Sequence, residues 1–114
     1  MGDCVFCRII RKEIPSNAVF EDDKVYAFKD INPVAPVHIL ITPKQHIKSV
    51  EDLTPENAGV MADIHLAAKK IAGDTGLSES GYRLINNCGE NAGQTVPHLH
   101  YHLIGGKALG PKII

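Results

Sequence analysis

The chain has 114 residues, 44% of them hydrophobic, with 12 Lys and Arg against 13 Asp and Glu and a formal net charge of −1. That length suits one domain, 1–114, with a single core, and the balanced charge leaves neither a basic footprint for nucleic acid nor a polybasic patch for a membrane. No apolar run reaches membrane-spanning length and no signal-peptide pattern opens the chain, while three cysteines, an odd number, argue against a disulfide framework; a cytoplasmic location is expected.

Cys4 to Lys12 carries apolar residues at helical spacings until Ile14-Pro15 stops it, which predicts a short amphipathic N-terminal helix. Its first turn holds Cys4-x-x-Cys7, with three readings: zinc ligation, a redox dithiol, or packing. The redox reading wants a preceding strand, and none is there. Zinc needs two further ligands, for which His46 and His98 are candidates.

Residues 18–21 and 25–29 are β-prone runs joined by Asp22-Asp23-Lys24, a hairpin connection. Asp30 follows at the strand end, and Pro33 and Pro36 impose an irregular loop. Residues 37–42 then form an apolar strand with His38 at its mouth, whose composition predicts a central, covered position. Thr54-Pro55-Glu56 is a helix start, with a hydroxyl cap, a proline where no N–H is needed, and an acid in the first turn. Val60, Met61, Ile64, Ala67, Ala68 and Ile71 form one stripe on this long central helix, which should end near Thr75-Gly76. His65 sits beside the stripe without a catalytic partner, so a structural role is expected for it.

Residues 81–86 predict a fourth strand, after which Asn87 to Val96 is polar and punctuated by glycine, a loop able to turn backbone N–H groups toward an anion. It leads into His98-Leu99-His100-Tyr101-His102-Leu103-Ile104. Read as a strand over 98–104, this places the three imidazoles on one face and Leu99, Tyr101 and Leu103 on the other. Such a row cannot hold one metal ion, because alternate strand positions are about 6.7 Å apart and the outer pair about 13 Å apart. It suits nucleophilic and acid–base catalysis: a neutral imidazole attacks phosphorus near pH 7, and flanking donors fix its tautomer and protonate the leaving group.

The run His98-x-His100-x-His102 followed by two apolar residues resembles the signature of the histidine triad family. The resemblance extends through Phe6 and Ile9 to Ile14-Pro15, Phe28 to Pro33, Ala35 to His38, Gly81 to Arg83, and Gly93 to Gly106. It is similar to the Hint branch, the histidine triad nucleotide-binding proteins.

That resemblance implies an α+β fold, a five-stranded antiparallel sheet with one short N-terminal and one long central helix, paired into a homodimer. It implies hydrolysis of purine nucleoside phosphoramidates without a catalytic cofactor, through a nucleotidyl-histidine on His100. His38 and His98 would orient that residue, and His102 would contact the phosphate and aid proton transfer. Asn87, Gly93, Gln94, Thr95 and Val96 would surround the phosphate, and Asp30 would accept from the ribose hydroxyls. Phe6, Ile9, Phe28 and Ile31 would line the base site of a purine nucleoside monophosphate. Many bacterial members hold a structural zinc, and Cys4, Cys7, His46 and His98 fit its ligand positions. A dinucleoside polyphosphate hydrolase is the alternative activity, and a nucleotide-binding or interaction module with vestigial catalysis the alternative class. Pro97 departs from the family pattern and removes a donor, so pairing of the histidine strand should begin after it.

Overall fold

The computed structural model describes residues 4–114. Cys4 is extended and caps helix α1 (Val5–Ile10), its Sγ accepting the Cys7 N–H at 3.5 Å. Six residues are too few for a helix stable by itself. Burial of Phe6, Cys7 and Ile9 against the sheet supplies what propensity does not.

The sheet contains β1 (Ala18–Glu21), β2 (Val25–Lys29), β3 (Val37–Pro43), β4 (Tyr82–Asn86) and β5 (Tyr101–Gly105) in the order β1-β2-β3-β5-β4, every pair antiparallel. The expected α+β class, strand count and central place of β3 hold. Between β1 and β2, Asp22 Oδ1 accepts the N–H groups of Lys24 (2.8 Å) and Val25 (2.7 Å), which closes the hairpin from its own side chain.

Alternation along the strands separates two cores. Val25, Ala27, Ile39, Ile41 and Leu103 face helix α2 (Val60–Asp74), which buries Ile64, Ala67, Ala68, Ile71 and Ala72 against them. Tyr26, Phe28 and Leu40 face the other way and pack with Phe6 and Ile9 of α1. His38 and His102 alternate onto this second face, in register with Ile104 and Leu40 respectively.

Two boundaries differ from the sequence reading. Helix α2 begins at Val60, not at Thr54: Thr54 and Asn57 bond each other's N–H groups reciprocally (2.7 and 3.2 Å), capping a run of turns whose i→i+3 bonds, Val60 N–H to the Asn57 carbonyl (3.2 Å) and Met61 N–H to the Ala58 carbonyl (3.0 Å), lead into the helix. The apolar stripe, not the cap signal, marks the helix. At its end Gly76 takes φ +79, with Leu77 N–H on the Ala72 carbonyl (2.8 Å), as the glycine there predicts.

The histidine segment enters the ladder only at Tyr101. His98 N–H turns back to the Val96 carbonyl (2.8 Å) and Leu99 N–H reaches the Ile47 carbonyl (2.7 Å), so 98–100 is held by bonds outside the sheet. Thr42 Oγ1 donates to the Leu99 carbonyl (2.9 Å) and Asn86 Nδ2 to the His100 carbonyl (2.9 Å), fixing the segment from both neighbouring strands. Pro97 offers no N–H of its own, and the bonds of His98 and Leu99 delay the ladder further, to Tyr101.

Candidate active site and metal centre

Because 98–100 leaves the ladder, the three alternate histidines do not form one row. His98 turns into a cluster with Cys4, Cys7 and His46, while His100 and His102 remain neighbours with ring centroids 5.3 Å apart.

In the first cluster, His98 Nδ1 lies 3.4 Å from Cys4 Sγ, 3.5 Å from Cys7 Sγ and 3.2 Å from His46 Nδ1, and Cys7 Sγ lies 3.3 Å from His46 Nδ1. A tetrahedral ion with two thiolate and two imidazole ligands has edges of roughly 3.3–3.8 Å. His98 is fully buried, and its Nε2 is 2.9 Å from the Pro43 carbonyl, which can only accept. Nε2 therefore carries the proton and Nδ1 presents a lone pair to the cluster, the outer-shell arrangement of a metal-bound histidine. Burial holds its pKa down to about 4, so the ring is neutral at pH 7. Burial and the neighbouring Cys4 push the Cys7 thiol up. These four residues can hold a metal ion.

The second cluster joins Asp30, His38 and His102. His38 Nε2 is 2.9 Å from His102 Nδ1 and 3.4 Å from Asp30 Oδ2. Here the far nitrogen, His38 Nδ1, accepts the backbone N–H of Val34 at 3.2 Å. Nδ1 must then be bare and Nε2 protonated, so His38 donates into its cluster instead of offering a lone pair. His102 Nδ1 accepts that proton and its own Nε2 carries the other. The arrangement suits proton transfer, although its distances resemble those of the metal cluster. Burial lowers the pKa of His102, helped by His100 and His38 and opposed by Asp30.

His100 Nδ1 lies 2.7 Å from the His98 carbonyl and so carries the proton, leaving Nε2 with the free pair of a nucleophile. Burial lowers its pKa, which keeps that pair unprotonated near neutrality. Phe6 stands edge-on to its ring, centroids 5.0 Å apart.

Phe6, Ile9, Phe28, Asp30 and Ile31 line a cavity of about 450 Å³ together with Ile14, Asn17 and Leu40. Its walls are mainly apolar, as a planar base requires. Ile31 is 89% exposed and forms only the rim. In the loop, Gly93 takes φ +84, and Thr95 is exposed beside half-buried Val96. Gln94 is fully engaged with backbone: its Oε1 accepts from Gly89 N–H (2.9 Å) and its Nε2 donates to the carbonyls of Lys48 (2.8 Å) and Val96 (3.0 Å). Its side chain braces the loop. Asn87 is half-buried at the loop's start. His65 bonds the Met61 carbonyl (2.7 Å) and stacks edge-on against Tyr101, the expected structural use.

Sequence reasoning missed the backbone partners that assign every proton: the Pro43 and His98 carbonyls and the Val34 N–H. It also missed Thr42 and Asn86 as the braces of 98–100. A polar residue inside an apolar strand, as Thr42 is, was the one available signal.

An α+β sheet carrying a buried imidazole with a bare Nε2 beside a hydrogen-bonded pair of imidazoles has the groups that nucleophilic and acid–base chemistry needs. The HIT domain family model matches residues 11–109. The purine nucleoside phosphoramidase of Escherichia coli K12 is 47% identical over 111 residues, covering 97% of this chain and 93% of that protein. A HIT family hydrolase from Clostridium thermocellum superposes with a TM-score of 0.98 at 58% identity, covering 100% of this chain and 99% of that one. A histidine triad protein from Clostridium difficile does so with 0.95 at 48% identity, covering 98% and 97%. The chain belongs to the HIT family and is a hydrolase of that family.

Proposed function

We propose that this enzyme hydrolyses purine nucleoside phosphoramidates through a covalent nucleotidyl-histidine on His100. The observation that carries this reading is the His100 Nδ1 to His98 carbonyl bond of 2.7 Å, which leaves Nε2 free and directed by its own backbone. His100 Nε2 attacks the α-phosphorus and the bond from phosphorus to the leaving nitrogen breaks. The leaving nitrogen takes a proton from His102. Water then attacks the nucleotidyl-imidazole, returns a proton to His102 and releases the nucleoside monophosphate.

The apolar cavity takes the purine, Asp30 at its edge accepts from the ribose hydroxyls, and Asn87 with the N–H groups of Thr95 and Val96 receives phosphate oxygens. His98 acts by its carbonyl and not by its ring. Its ring belongs to a structural zinc with Cys4, Cys7 and His46, a choice supported by two thiolates, two imidazoles and tetrahedral edge lengths. That ion would tie α1, one wall of the cavity, to the segment bearing His100; it takes no part in the reaction. No helix among the described residues is long and apolar enough to cross a membrane. Cys4, Cys7 and Cys88, none of them in a disulfide, fit a cytoplasmic enzyme. β4 ends the sheet with an unpaired edge, where a second subunit would continue it into a homodimer.

The test is incubation with an adenosine phosphoramidate followed by mass spectrometry of the quenched protein. A nucleotidyl mass increment on the His100 peptide, absent from His100→Ala along with a loss of turnover of roughly 10⁴-fold or more, is expected. Equal turnover by His100→Ala overturns the assignment. Faster cleavage of a diadenosine polyphosphate than of the phosphoramidate would favour the other hydrolase activity.

A further inference from the structure

Neutral His102 holds one proton at Nε2, and surrendering it to a leaving nitrogen would produce an imidazolate unless the His38–His102 pair first carries an additional proton. His38 is buried, its side chain 5% exposed, His102 is half-buried, and the Asp30 side chain is 17% exposed. A positive charge there requires a partner.

We propose that Asp30 is a positioning residue for proton transfer, the counter-ion that holds the additional proton on the His38–His102 pair until the leaving nitrogen takes it. This deepens the phosphoramidase reading and rests on it.

His38 Nε2–H has two acceptors within reach, His102 Nδ1 at 2.9 Å and Asp30 Oδ2 at 3.4 Å. When His102 is protonated at both nitrogens, its Nδ1–H would oppose His38 Nε2–H, and Asp30 Oδ2 is the acceptor to which His38 can turn. The backbone already commits His38 Nδ1 to the Val34 N–H, so the ring cannot relieve the clash by changing tautomer. Asp30 is itself held: Oδ1 accepts Asn32 N–H at 2.7 Å, and Asp30 N–H bonds the His38 carbonyl at 3.0 Å. A carboxylate tied to both ends of the strand entry has one oxygen directed at the histidines.

The surrounding charges do not supply the same service. His100, ahead of β5, opposes a positive charge on His102. On β4, Ile85 stands opposite His102, and Arg83 on the same face turns its guanidinium to the Gly110 carbonyl at 2.8 Å. Lys29 alternates with Tyr26 and Phe28 onto the opposite face of β2. Asp30 is the anion directed at the pair. The proton balance closes over the cycle: the charged pair gives one proton to the amine, becomes neutral, and regains one from the attacking water.

The experiment is a histidine ¹⁵N NMR titration of the free, metal-loaded protein, wild type against Asp30→Asn and Asp30→Glu. Asp30→Asn keeps the acceptor for Asn32 N–H and removes the charge. His102 is expected to lose its additional proton at lower pH in Asp30→Asn than in the wild type, and Asp30→Glu to restore most of that difference. A companion assay uses a 2′,3′-dideoxynucleoside phosphoramidate, which lacks the hydroxyls assigned to Asp30. On that substrate the alkaline limb of kcat should move to lower pH in Asp30→Asn. Superimposable titrations, or equal kcat profiles on the dideoxy substrate, overturn the proposal and reduce Asp30 to a ribose contact. A shifted titration in a protein whose wild type releases no amine supports the coupling and refutes the phosphoramidase reading instead.

Discussion

Two clusters in this molecule have nearly the same outline and opposite chemistry. Cys4, Cys7, His46 and His98 bring their donor atoms together on one side of His100, and Asp30, His38 and His102 do so on the other. What separates them is the atom behind each ring. A carbonyl behind His98 forces the proton outward and leaves a lone pair facing the cluster, whereas an amide N–H behind His38 forces the proton inward. Donor type and spacing alone would make both metal sites. The backbone partner of the remote nitrogen suits one to hold an ion and the other to pass a proton.

The sharpest way to separate them is to break each and read both properties. His102→Gln should lower turnover by roughly 10²–10⁴-fold with bound metal unchanged, as kinetics alongside elemental analysis would record. Cys7→Ser should remove the metal and lower stability by about 4 kcal/mol under free metal a thousandfold above the dissociation constant, measured by denaturant unfolding. Metal lost from His102→Gln, or retained by Cys7→Ser, would dissolve the distinction.

The third expectation concerns the metal-stripped protein. His98 titrates at about 4 when folded, against an ordinary 6.5. A depressed histidine contributes its stability above the unfolded value and loses it as protonation drives unfolding. Stability of the stripped protein should therefore fall as pH drops from about 6.5 to about 4, by something of the order of 3 kcal/mol, and level off below. A flat profile over that window would contradict the burial of a neutral His98. The smallest effect belongs to Gln94→Ala, which loses three hydrogen bonds from a partly solvated loop and should cost about 1–2 kcal/mol, with a larger rise in KM than fall in kcat.

The sheet was legible in the sequence because period-two alternation and turn residues announce strands directly: Asp22 to Lys24 sits at the hairpin, and the apolar run of β3 lies at the centre. The C-terminal end of α2 was legible from Gly76, but its beginning was not. Thr54 carries a cap signal that serves the run of turns ahead of the helix, and local propensity does not say whether a turn will propagate.

The site was legible as a set of residues and not as an arrangement. Alternation placed His98, His100 and His102 in one row, while the bonds of His98 and Leu99 to Val96 and Ile47 take the segment out of the ladder and send the His98 ring elsewhere. Pro97 warned of a late start; nothing local names Ile47 as the partner. Proton positions were less accessible still. Pro43 and Val34 decide them through backbone atoms, which carry no side-chain signature and meet their histidines only after the sheet has formed.

The central claim is that backbone partners assign the protons, and long-range ¹H–¹⁵N correlation of the histidine rings at neutral pH reads it directly. His38 and His98 should show protonated Nε2 and bare Nδ1, with His100 reversed. His38 found with its proton on Nδ1 would contradict the account, because that ring would then be free to ligate a metal and unable to donate to His102.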